Sequence, residues 1–333
     1  MAGKLENYLY NSTINKDNFN SLLALYKNNA SLFLAFIGAG ISSSIEGIPD
    51  LKKLYASWCK KHGCSENSDE ELPELFSSLY DQIVNKENFD KELFDAVIPK
   101  NTRSTAAHLE IARAFNCFVT TNYYDPIEDG FKQKQDFMNA KPEELTRYHF
   151  VFPPKEKAKY SLTYLHGNSD VGFCILRKKD YQYFYPSLYE SNAGIYAVEN
   201  SLSNILTQRT VVFLGASLES HLRKYLQYLL AKLKKENSSK LDAGQKREVK
   251  THYWITGDSG IKKYLESAPK EMKNEFEEKY FNDYKEINIE PILYTGGHIF
   301  IEDLCKTLTK LRELNPTSVA GSTYDPSQRQ GDL

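Results

Sequence analysis

The feature of this 333-residue chain that most constrains its fold is a series of short apolar runs, each closed by small or polar residues. The runs are nearly continuous and rich in β-branched and aromatic side chains, which is typical of strands buried on both faces of a parallel sheet. They occupy residues 32–38, 117–122, 161–167, 210–217, 251–257 and 287–296. Segments with helical periodicity accompany them, such as residues 221–236 and 299–314. This alternation predicts an α/β fold, a doubly wound (Rossmann-like) and mostly parallel sheet of about six strands, with ligands at the carboxyl ends of the strands.

Two stretches between these strands are longer than a single crossover requires. Residues 51–116 are mostly helical in pattern and separate the first two strands, and residues 126–160 separate the second strand from the third. We interpret both as helical inserts that form a smaller cap over the edge of the sheet, within one domain that spans residues 1–316. The Rossmann core of this domain is predicted to comprise residues 30–50, 117–125 and 161–316. Residues 317–333 are rich in polar residues, Pro and Gly, and we predict a disordered tail there.

Composition argues against several classes of partner. The formal net charge is −2, with 42 basic and 44 acidic residues, so we expect no direct binding of nucleic acid. The five cysteines form no C-x-x-C pair, and their odd number supports neither a zinc ribbon nor a disulfide framework, so we expect no metal. The N-terminus lacks the apolar segment of a signal peptide, and no apolar stretch reaches the ~20 residues that a membrane span needs. We therefore expect a cytoplasmic protein that does not associate with a membrane.

The first apolar run ends in a glycine turn, Gly38-Ala39-Gly40, which is half of a dinucleotide-binding fingerprint. Glycines allow a backbone to approach a pyrophosphate closely, and N–H groups at the start of a helix bind its charge. The third glycine of the G-x-G-x-x-G fingerprint is absent, because position 43 is Ser43. Taken alone, the turn is explained as well by a tight structural turn as by a bound phosphate.

Further short motifs lie at predicted strand ends along the chain. They are "GAGIS" (38–42) followed by "GIPD" (47–50), then "TTNYYD" (120–125), "LHG" (165–167) and "FLGASL" (213–218). In this order the motifs resemble the signature segments of the sirtuin family. The zinc-binding cysteine quartet that deacylating sirtuins carry after the histidine motif is missing, since Cys174 stands alone there. The resemblance is therefore closer to the zinc-free bacterial sirtuin-like domains, which act as NAD-consuming effectors in anti-phage defence.

The resemblance implies that NAD+ is the substrate and that the bond between nicotinamide and ribose is broken. Asn122 would then orient a water molecule and hydrogen-bond a ribose hydroxyl, and His166, with an ordinary pKa of about 6.5, would accept a proton. Ten residues are expected to bind NAD+. At the pyrophosphate these are Gly38, Ala39, Gly40 and Ser42, and at the nicotinamide they are Pro49 and Asp50. Other parts of NAD+ are expected to contact Thr121, Asp125, Gly215 and Ser217. Asp125 could instead cap a helix that begins at Pro126, a role that would still orient Asn122.

Structural explanations stay open for several of these polar residues. Asn122 could cap a helix, and a lone histidine such as His166 could be a hydrogen-bonded structural residue. His298 could be a helix-start residue near the mouth of the pocket, and we leave its role unassigned. The tyrosine-rich stretch 180–190 could stack on a nucleotide, but packing in the core or at an interface is favoured. Four further histidines are predicted at the surface or at the edge of the core: His108, His149, His221 and His252.

The leading hypothesis from the sequence is an NAD+ glycohydrolase that releases nicotinamide and ADP-ribose and acts as a toxic, NAD-depleting effector of abortive infection. Two alternatives stay open, namely an NAD-dependent protein-lysine deacylase and a non-catalytic module that senses NAD+ or ADP-ribose. An unregulated NADase would kill its host, and the chain has little length beyond the predicted domain. We therefore expect control by homo-oligomerisation or by a protein partner in trans, such as a HerA-like ATPase. The trigger, the oligomer size and the formation of a cyclic product are left open.

Overall fold

The apolar runs of the sequence form the strands of a parallel sheet. A computed structural model of the chain describes residues 2–43, 45, 51–66, 70–83, 88–97, 104–132, 144–152, 159–191, 193–216, 218, 221–239, 249–257 and 269–315. The strands within these residues are β1 (Phe33–Ile37), β2 (Cys117–Thr120), β3 (Leu145–His149), β4 (Tyr160–Tyr164), β5 (Gly167–Asn168), β6 (Phe173–Cys174), β7 (Thr210–Leu214), β8 (His252–Thr256) and β9 (Ile289–Leu293). The α-helices are α1 (Ala2–Glu6), α2 (Thr13–Asn29), α3 (Ala39–Ser42), α4 (Leu51–His62), α5 (Leu72–Gln82), α6 (Phe89–Val97), α7 (Ala106–Ala114), α8 (Ile127–Lys132), α9 (Lys178–Phe184), α10 (Ala197–Gln208), α11 (His221–Ser239), α12 (Lys270–Lys285) and α13 (His298–Leu314).

Seven of the described strands form one sheet in the order β3-β4-β2-β1-β7-β8-β9, and every neighbouring pair in it is parallel. β5 and β6 form a separate antiparallel hairpin. The last residues of five adjacent strands pair in one row, which consists of His149, Tyr164, Thr120, Ile37 and Leu214. The segments that follow these residues therefore all leave the sheet at the same edge. This parallel sheet, flanked by helices, confirms the predicted α/β, Rossmann-like fold.

Strand β3 corrects the prediction for residues 126–160, which we interpreted as a helical insert. The insert contains the short helix α8, but Leu145–His149 pairs in parallel with β4 as an edge strand of the sheet. The residues of β3 are exposed or only half-buried. Such an edge strand lacks the continuous apolar run that marks a strand buried on both faces, and its sequence therefore does not stand out. The domain boundaries stay a prediction, and the predicted disordered tail, residues 317–333, lies outside the described residues.

Alternate residues of β1 contact two different hydrophobic cores, because successive side chains of a strand point to opposite faces of the sheet. Phe33, Ala35 and Ile37 belong to a core that also contains side chains of α2, α7 and α13. Leu34 and Phe36 belong to a second core, together with side chains of α10 and α11. Helices on both faces bury every residue of this strand, and its sequence is accordingly apolar throughout.

Helices α4, α5 and α6 carry a third, smaller core, which forms the helical cap. Leu54 and Trp58 of α4 pack in it with Phe76 and Leu79 of α5 and with Phe89 of α6. This core also includes Tyr123, Cys174 and Leu176, which lie outside the insert of residues 51–116. Because these residues follow β2 or belong to the segment after β4, the cap lies at the carboxyl edge of the sheet, on the side of β2 and β4. Helix α7, from the same insert, packs instead with α13 against the sheet.

Candidate functional site

The turns that follow β1 and β7 are joined through their backbones. Gly38 N–H donates a hydrogen bond to Leu214 O at 2.9 Å. Gly40 N–H donates in the same way to Gly215 O, also at 2.9 Å. A Cβ on Gly38 would lie 2.4 Å from Gly215 O, and a Cβ on Gly215, whose φ is +62°, would lie 2.4 Å from Ile41 N. These glycines are therefore required by the close approach of the two turns to each other.

This junction reduces the number of backbone N–H groups with which the glycine turn could bind an anion. Two of the N–H groups that the sequence assigns to a pyrophosphate, those of Gly38 and Gly40, already donate to carbonyl oxygens at the end of β7. Ala39 and Gly40 are exposed, whereas Gly38 is buried. A phosphate at this turn would thus meet the exposed backbone of Ala39 and Gly40 and would not receive those two hydrogen bonds. Binding of NAD+ by these residues stays a prediction.

Ser42 lies beneath the glycine turn and is buried against a histidine of α7. Its hydroxyl is 3.2 Å from Nε2 of His108, whose Nδ1 is 2.8 Å from the hydroxyl of Thr105, the N-cap residue of α7. Burial is the main reason that the pKa of His108 is lowered to about 3, and the nearby His298 lowers it further. His108 is therefore a neutral core residue. The prediction that places it at the surface or the edge of the core is wrong, as it is for the fully buried His252.

His298 is the first residue of α13 and lies beside the same glycine turn. Its Nε2 is 3.1 Å from Gly40 O. His298 is therefore a helix-start residue that lies beside the predicted phosphate turn.

The end of β2 places Asn122 beside the glycine turn. Thr120, the last residue of β2, is fully buried, and its hydroxyl donates to Ile37 O at 2.8 Å and accepts from Asn122 N–H at 3.1 Å. Thr121 and Asn122 follow at the edge of the sheet, where both are half-buried. The Nδ2 atom of Asn122 is buried and has no hydrogen-bond partner among the described residues. The structure thus fixes the backbone of Asn122 and leaves its amide nitrogen unpaired within the described part of the chain.

Asp125 is a buried carboxyl group at the start of α8. Its Oδ1 accepts a hydrogen bond from Ile127 N–H at 3.1 Å, which confirms the predicted capping role. Its Oδ2 is buried and, like Nδ2 of Asn122, has no partner of normal geometry among the described residues. Burial raises the pKa of Asp125 to about 7, against the opposing effects of Ile127 N–H, the Thr120 hydroxyl and the Asn122 amide. Near neutral pH this carboxyl can therefore hold or release a proton.

His166 follows β4 and contacts two tyrosines, Tyr181 of α9 and Tyr185 directly after this helix. Its Nε2 is 2.8 Å from the Tyr185 hydroxyl, and the rings of Tyr181 and Tyr185 both meet the imidazole edge-on. The carbonyl oxygen of His166 accepts a hydrogen bond from Ile175 N–H at 2.9 Å, and Ile175 O accepts one from the Tyr123 hydroxyl at 2.8 Å. Tyr123 directly follows Asn122, so these bonds tie the segment that carries Asn122 to the segment that carries His166.

The geometry can be compared with known protein families. A family model described as a SIR2-like domain matches residues 116–285, just over half of the chain. The chain belongs to the SIR2-like domain family. The matched span contains Asn122, Asp125, His166 and Gly215, and it begins after the Gly38–Gly40 turn. No curated protein matches the chain. SIR2-like domains use NAD+ as substrate, and the family membership therefore indicates an NAD-related enzymatic function.

The SIR2-like domain brings four motif segments together on four adjacent strands. His166 follows β4, Asn122 follows β2, the glycine turn follows β1 and Gly215 follows β7. Neighbouring strands in a sheet lie about 4.8 Å apart, so these segments share one stretch of the carboxyl edge. The chain leaves β1 towards β2 and later returns to the other side of β1 at β7, which is the topological switch point where ligands bind in open α/β sheets. Three other predicted site residues, Pro49, Asp50 and Ser217, lie outside the described residues.

Two contacts of this edge were missed from the sequence, namely His108 with Ser42 and Tyr185 with His166. The tyrosine-rich stretch 180–190 is a usable signal for the second, although its residue types favour packing over a role at the site; no local pattern points to the first. In the described ranges no group of three or more His, Cys, Asp or Glu residues could hold a metal ion. No helix in the described part of the chain is both long and apolar enough to span a membrane.

Proposed function

We propose that this SIR2-like domain is an NAD+ glycohydrolase that cleaves the bond between nicotinamide and ribose and releases nicotinamide and ADP-ribose. The observation that carries the proposal is a pair of buried side-chain atoms at the end of β2, Nδ2 of Asn122 and Oδ2 of Asp125. Neither forms a hydrogen bond of normal geometry among the described residues, although the amide lies close enough to the carboxyl group to lower its pKa. Buried polar groups in folded proteins are nearly always paired, so unpaired ones at a strand end call for a ligand or a water molecule. An amide N–H together with a carboxyl oxygen suits a hydroxyl group or water, because both of these donate and accept hydrogen bonds.

The reaction needs the groups that lie at this edge. Nicotinamide in NAD+ is already a cationic leaving group, so its departure requires little help from an acid. The protein has to stabilise an oxocarbenium-like ribose and bring water to its anomeric carbon. Asn122 would hold a ribose hydroxyl or the water by its amide, with Asp125 accepting a hydrogen bond from the same group. His166, after the neighbouring strand β4, would take up the proton that the attacking water releases.

The biological role that we propose follows from the sirtuin-like motifs and from the missing cysteine quartet. A domain without the zinc module lacks the part of deacylating sirtuins that helps to build an acyl-lysine groove. We therefore propose a cytoplasmic, NAD-depleting effector of anti-phage defence that acts by abortive infection. Its activity would be controlled by homo-oligomerisation or by a protein partner in trans, such as a HerA-like ATPase.

The test is nicotinamide release by the purified full-length chain, measured by chromatography with NAD+ alone and with NAD+ plus an acetylated peptide. We expect release that does not depend on the peptide. Asn122→Ala and His166→Ala should each lower the rate by about 10²- to 10⁴-fold, the usual effect of removing a transition-state donor or a general base. The matched control is Asn274→Ala, which removes the same group from an exposed position of α12 and should leave the rate unchanged.

Two outcomes would overturn the proposal. Strict dependence of nicotinamide release on the acetylated peptide would identify a deacylase. Binding of NAD+ by calorimetry without consumption, for the chain alone and for the chain co-expressed with its genomic neighbours, would identify a sensing module.

A further inference from the structure

The tyrosine that follows α9 makes a buried hydrogen bond to the predicted catalytic histidine. The Tyr185 hydroxyl is 2.8 Å from Nε2 of His166, with 4% of Tyr185 and 8% of His166 exposed to solvent. The two rings also meet edge-on, with their centroids 5.9 Å apart. Because both side chains are so deeply buried, water does not readily replace either of them in the hydrogen bond. The bond is therefore part of the folded structure.

Several contacts fix the place of Tyr185 independently of any ligand. Helix α9 begins at a buried ion pair, in which Nε of Arg177 lies 3.0 Å from a carboxylate oxygen of Asp180. At the other end, Tyr185 N–H donates to Tyr181 O at 2.8 Å. The Tyr185 ring also packs edge-on against Tyr225, whose hydroxyl donates to Glu199 O at 2.6 Å. The hydroxyl of Tyr185 is thus held by the surrounding core.

The chemistry of a phenol suits both protonation states of the imidazole. Burial raises the pKa of Tyr185 well above its ordinary value, so its hydroxyl keeps its proton. A general base must keep one ring lone pair free, so in the neutral His166 that fits the reaction Nε2–H donates to the Tyr185 oxygen and Nδ1 accepts the proton. After Nδ1 has taken up a proton, Nε2–H donates to the same oxygen. One partner therefore supports the ring before and after it takes up a proton.

We propose that Tyr185 is a positioning residue for His166, fixing its tautomer and the orientation of its ring for the reaction. This inference rests on the proposed hydrolysis of NAD+, in which His166 accepts a proton. Its structural part, the control of the His166 tautomer by Tyr185, does not need any turnover. Tyr185 touches no reacting atom and acts only through the histidine.

The experiment compares Tyr185→Phe with Tyr225→Phe in the full-length chain. Each change removes a hydrogen-bonded hydroxyl from one of two tyrosines that pack against each other, but only the first removes the hydroxyl that contacts Nε2 of His166. The readouts are the imidazole ¹⁵N chemical shifts of His166, assigned by their loss in His166→Ala, and kcat and KM for nicotinamide release. We expect Tyr185→Phe to move the Nε2 shift and to lower kcat about 10- to 100-fold with KM little changed, the pattern of a misplaced catalytic group. Tyr225→Phe should alter neither readout.

The outcomes separate this inference from the proposed function. If the wild-type protein is active and Tyr185→Phe does not change kcat, the positioning role is overturned, but the proposed hydrolase function is not. A wild type that releases no nicotinamide in any assembled state would overturn the hydrolase, and the ¹⁵N shifts alone would then decide the tautomer. Should Tyr185→Phe not fold, replacement of tyrosine by 3-fluorotyrosine, which makes the phenol more acidic, should still move the His166 shift. An unchanged shift would overturn the inference.

Discussion

The carboxyl edge of the sheet is built differently on its two sides. On the side of β1 and β7, the two turns touch at Gly38, Gly40 and Gly215, and Gly38 N–H and Gly40 N–H donate to Leu214 O and Gly215 O. On the side of β2 and β4, the turns carry Asn122 and His166, and buried polar atoms are left without partners among the described residues. The first side is closed by contacts within the protein, whereas the second holds groups that are suited to an external partner.

From this difference we infer which part of the edge supports the fold and which part is available for chemistry. Paired backbone groups in a close junction add to stability, while an unpaired buried polar atom lowers it by about 1–3 kcal/mol. Local violations of good pairing are expected at functional sites, where the rest of the structure compensates for them. We therefore expect the glycine side to respond to mutation mainly in stability, and the β2–β4 side mainly in activity and pH dependence.

The largest effect is expected from Gly215→Ala. The new Cβ would lie 2.4 Å from Ile41 N, at a backbone φ of +62° that disfavours any residue with a Cβ. Because the obstacle is backbone, the two turns have to separate, and we expect the free energy of unfolding to fall by roughly 4 kcal/mol or more. Urea denaturation followed by circular dichroism measures it.

Gly172→Ala is the matched control for this prediction. Gly172 has the same φ of +62°, but a Cβ there would meet nothing within 4 Å. We expect this change to cost only the conformational strain, about 1 kcal/mol. Equal losses for the two variants would show that the contact between the turns contributes nothing beyond backbone strain.

The strands of this fold could be predicted from the sequence because the signals are local. Each buried strand is a nearly continuous apolar run, and parallel pairing brings the turns that follow such runs to one edge. Strand β3 was missed because its half-exposed residues carry no such run. The contacts Ser42–His108 and Tyr185–His166 were missed for another reason. They join residues that are far apart in the chain or on different elements, and only the packing of α7 and α9 against the sheet brings them together.

An intermediate effect is expected from the ionisation of Asp125 on the β2 side. Its pKa of about 7 in the folded protein lies above the value of about 3.9 that an unfolded chain gives. Between these two values the unfolded state releases a proton that the folded state keeps. The free energy of unfolding should therefore decrease as the pH rises from about 4 to 7, by roughly 3 kcal/mol for this group, and change little from it above that.

Asp125→Asn tests this directly, because the amide oxygen can still accept the hydrogen bond from Ile127 N–H while the titration is removed. Urea denaturation of both proteins at pH 5 and pH 8 should show that the variant gains stability relative to wild type at the higher pH. The comparison between the two proteins cancels the opposite contribution of His108, whose lowered pKa reduces stability as the pH falls below about 6.5. A difference between the proteins that is the same at both pH values would contradict the buried ionisation.

The smallest effect on stability is expected from Asn122→Ala. The amide nitrogen of Asn122 forms no hydrogen bond of normal geometry among the described residues, so its removal deletes only its weaker interaction with the Asp125 carboxyl group. We expect the free energy of unfolding to change by less than roughly 1 kcal/mol, or to increase. Thr120→Val, two residues earlier, is the contrasting change, because the Thr120 hydroxyl bonds both Ile37 O and Asn122 N–H. It should cost about 1–2 kcal/mol.

Asn122→Ala and Thr120→Val together distinguish a role in stability from a role in catalysis for residues at the end of β2. If Asn122 were only a structural cap, its replacement by alanine would destabilise the protein as much as Thr120→Val does. The main observation that supports the proposed active site would then be lost. If Asn122→Ala instead keeps the wild-type stability while nicotinamide release is lost, the unpaired amide is retained for the substrate. The stability of this one variant, measured beside its turnover of NAD+, therefore decides whether the two sides of the sheet edge differ in function or only in packing.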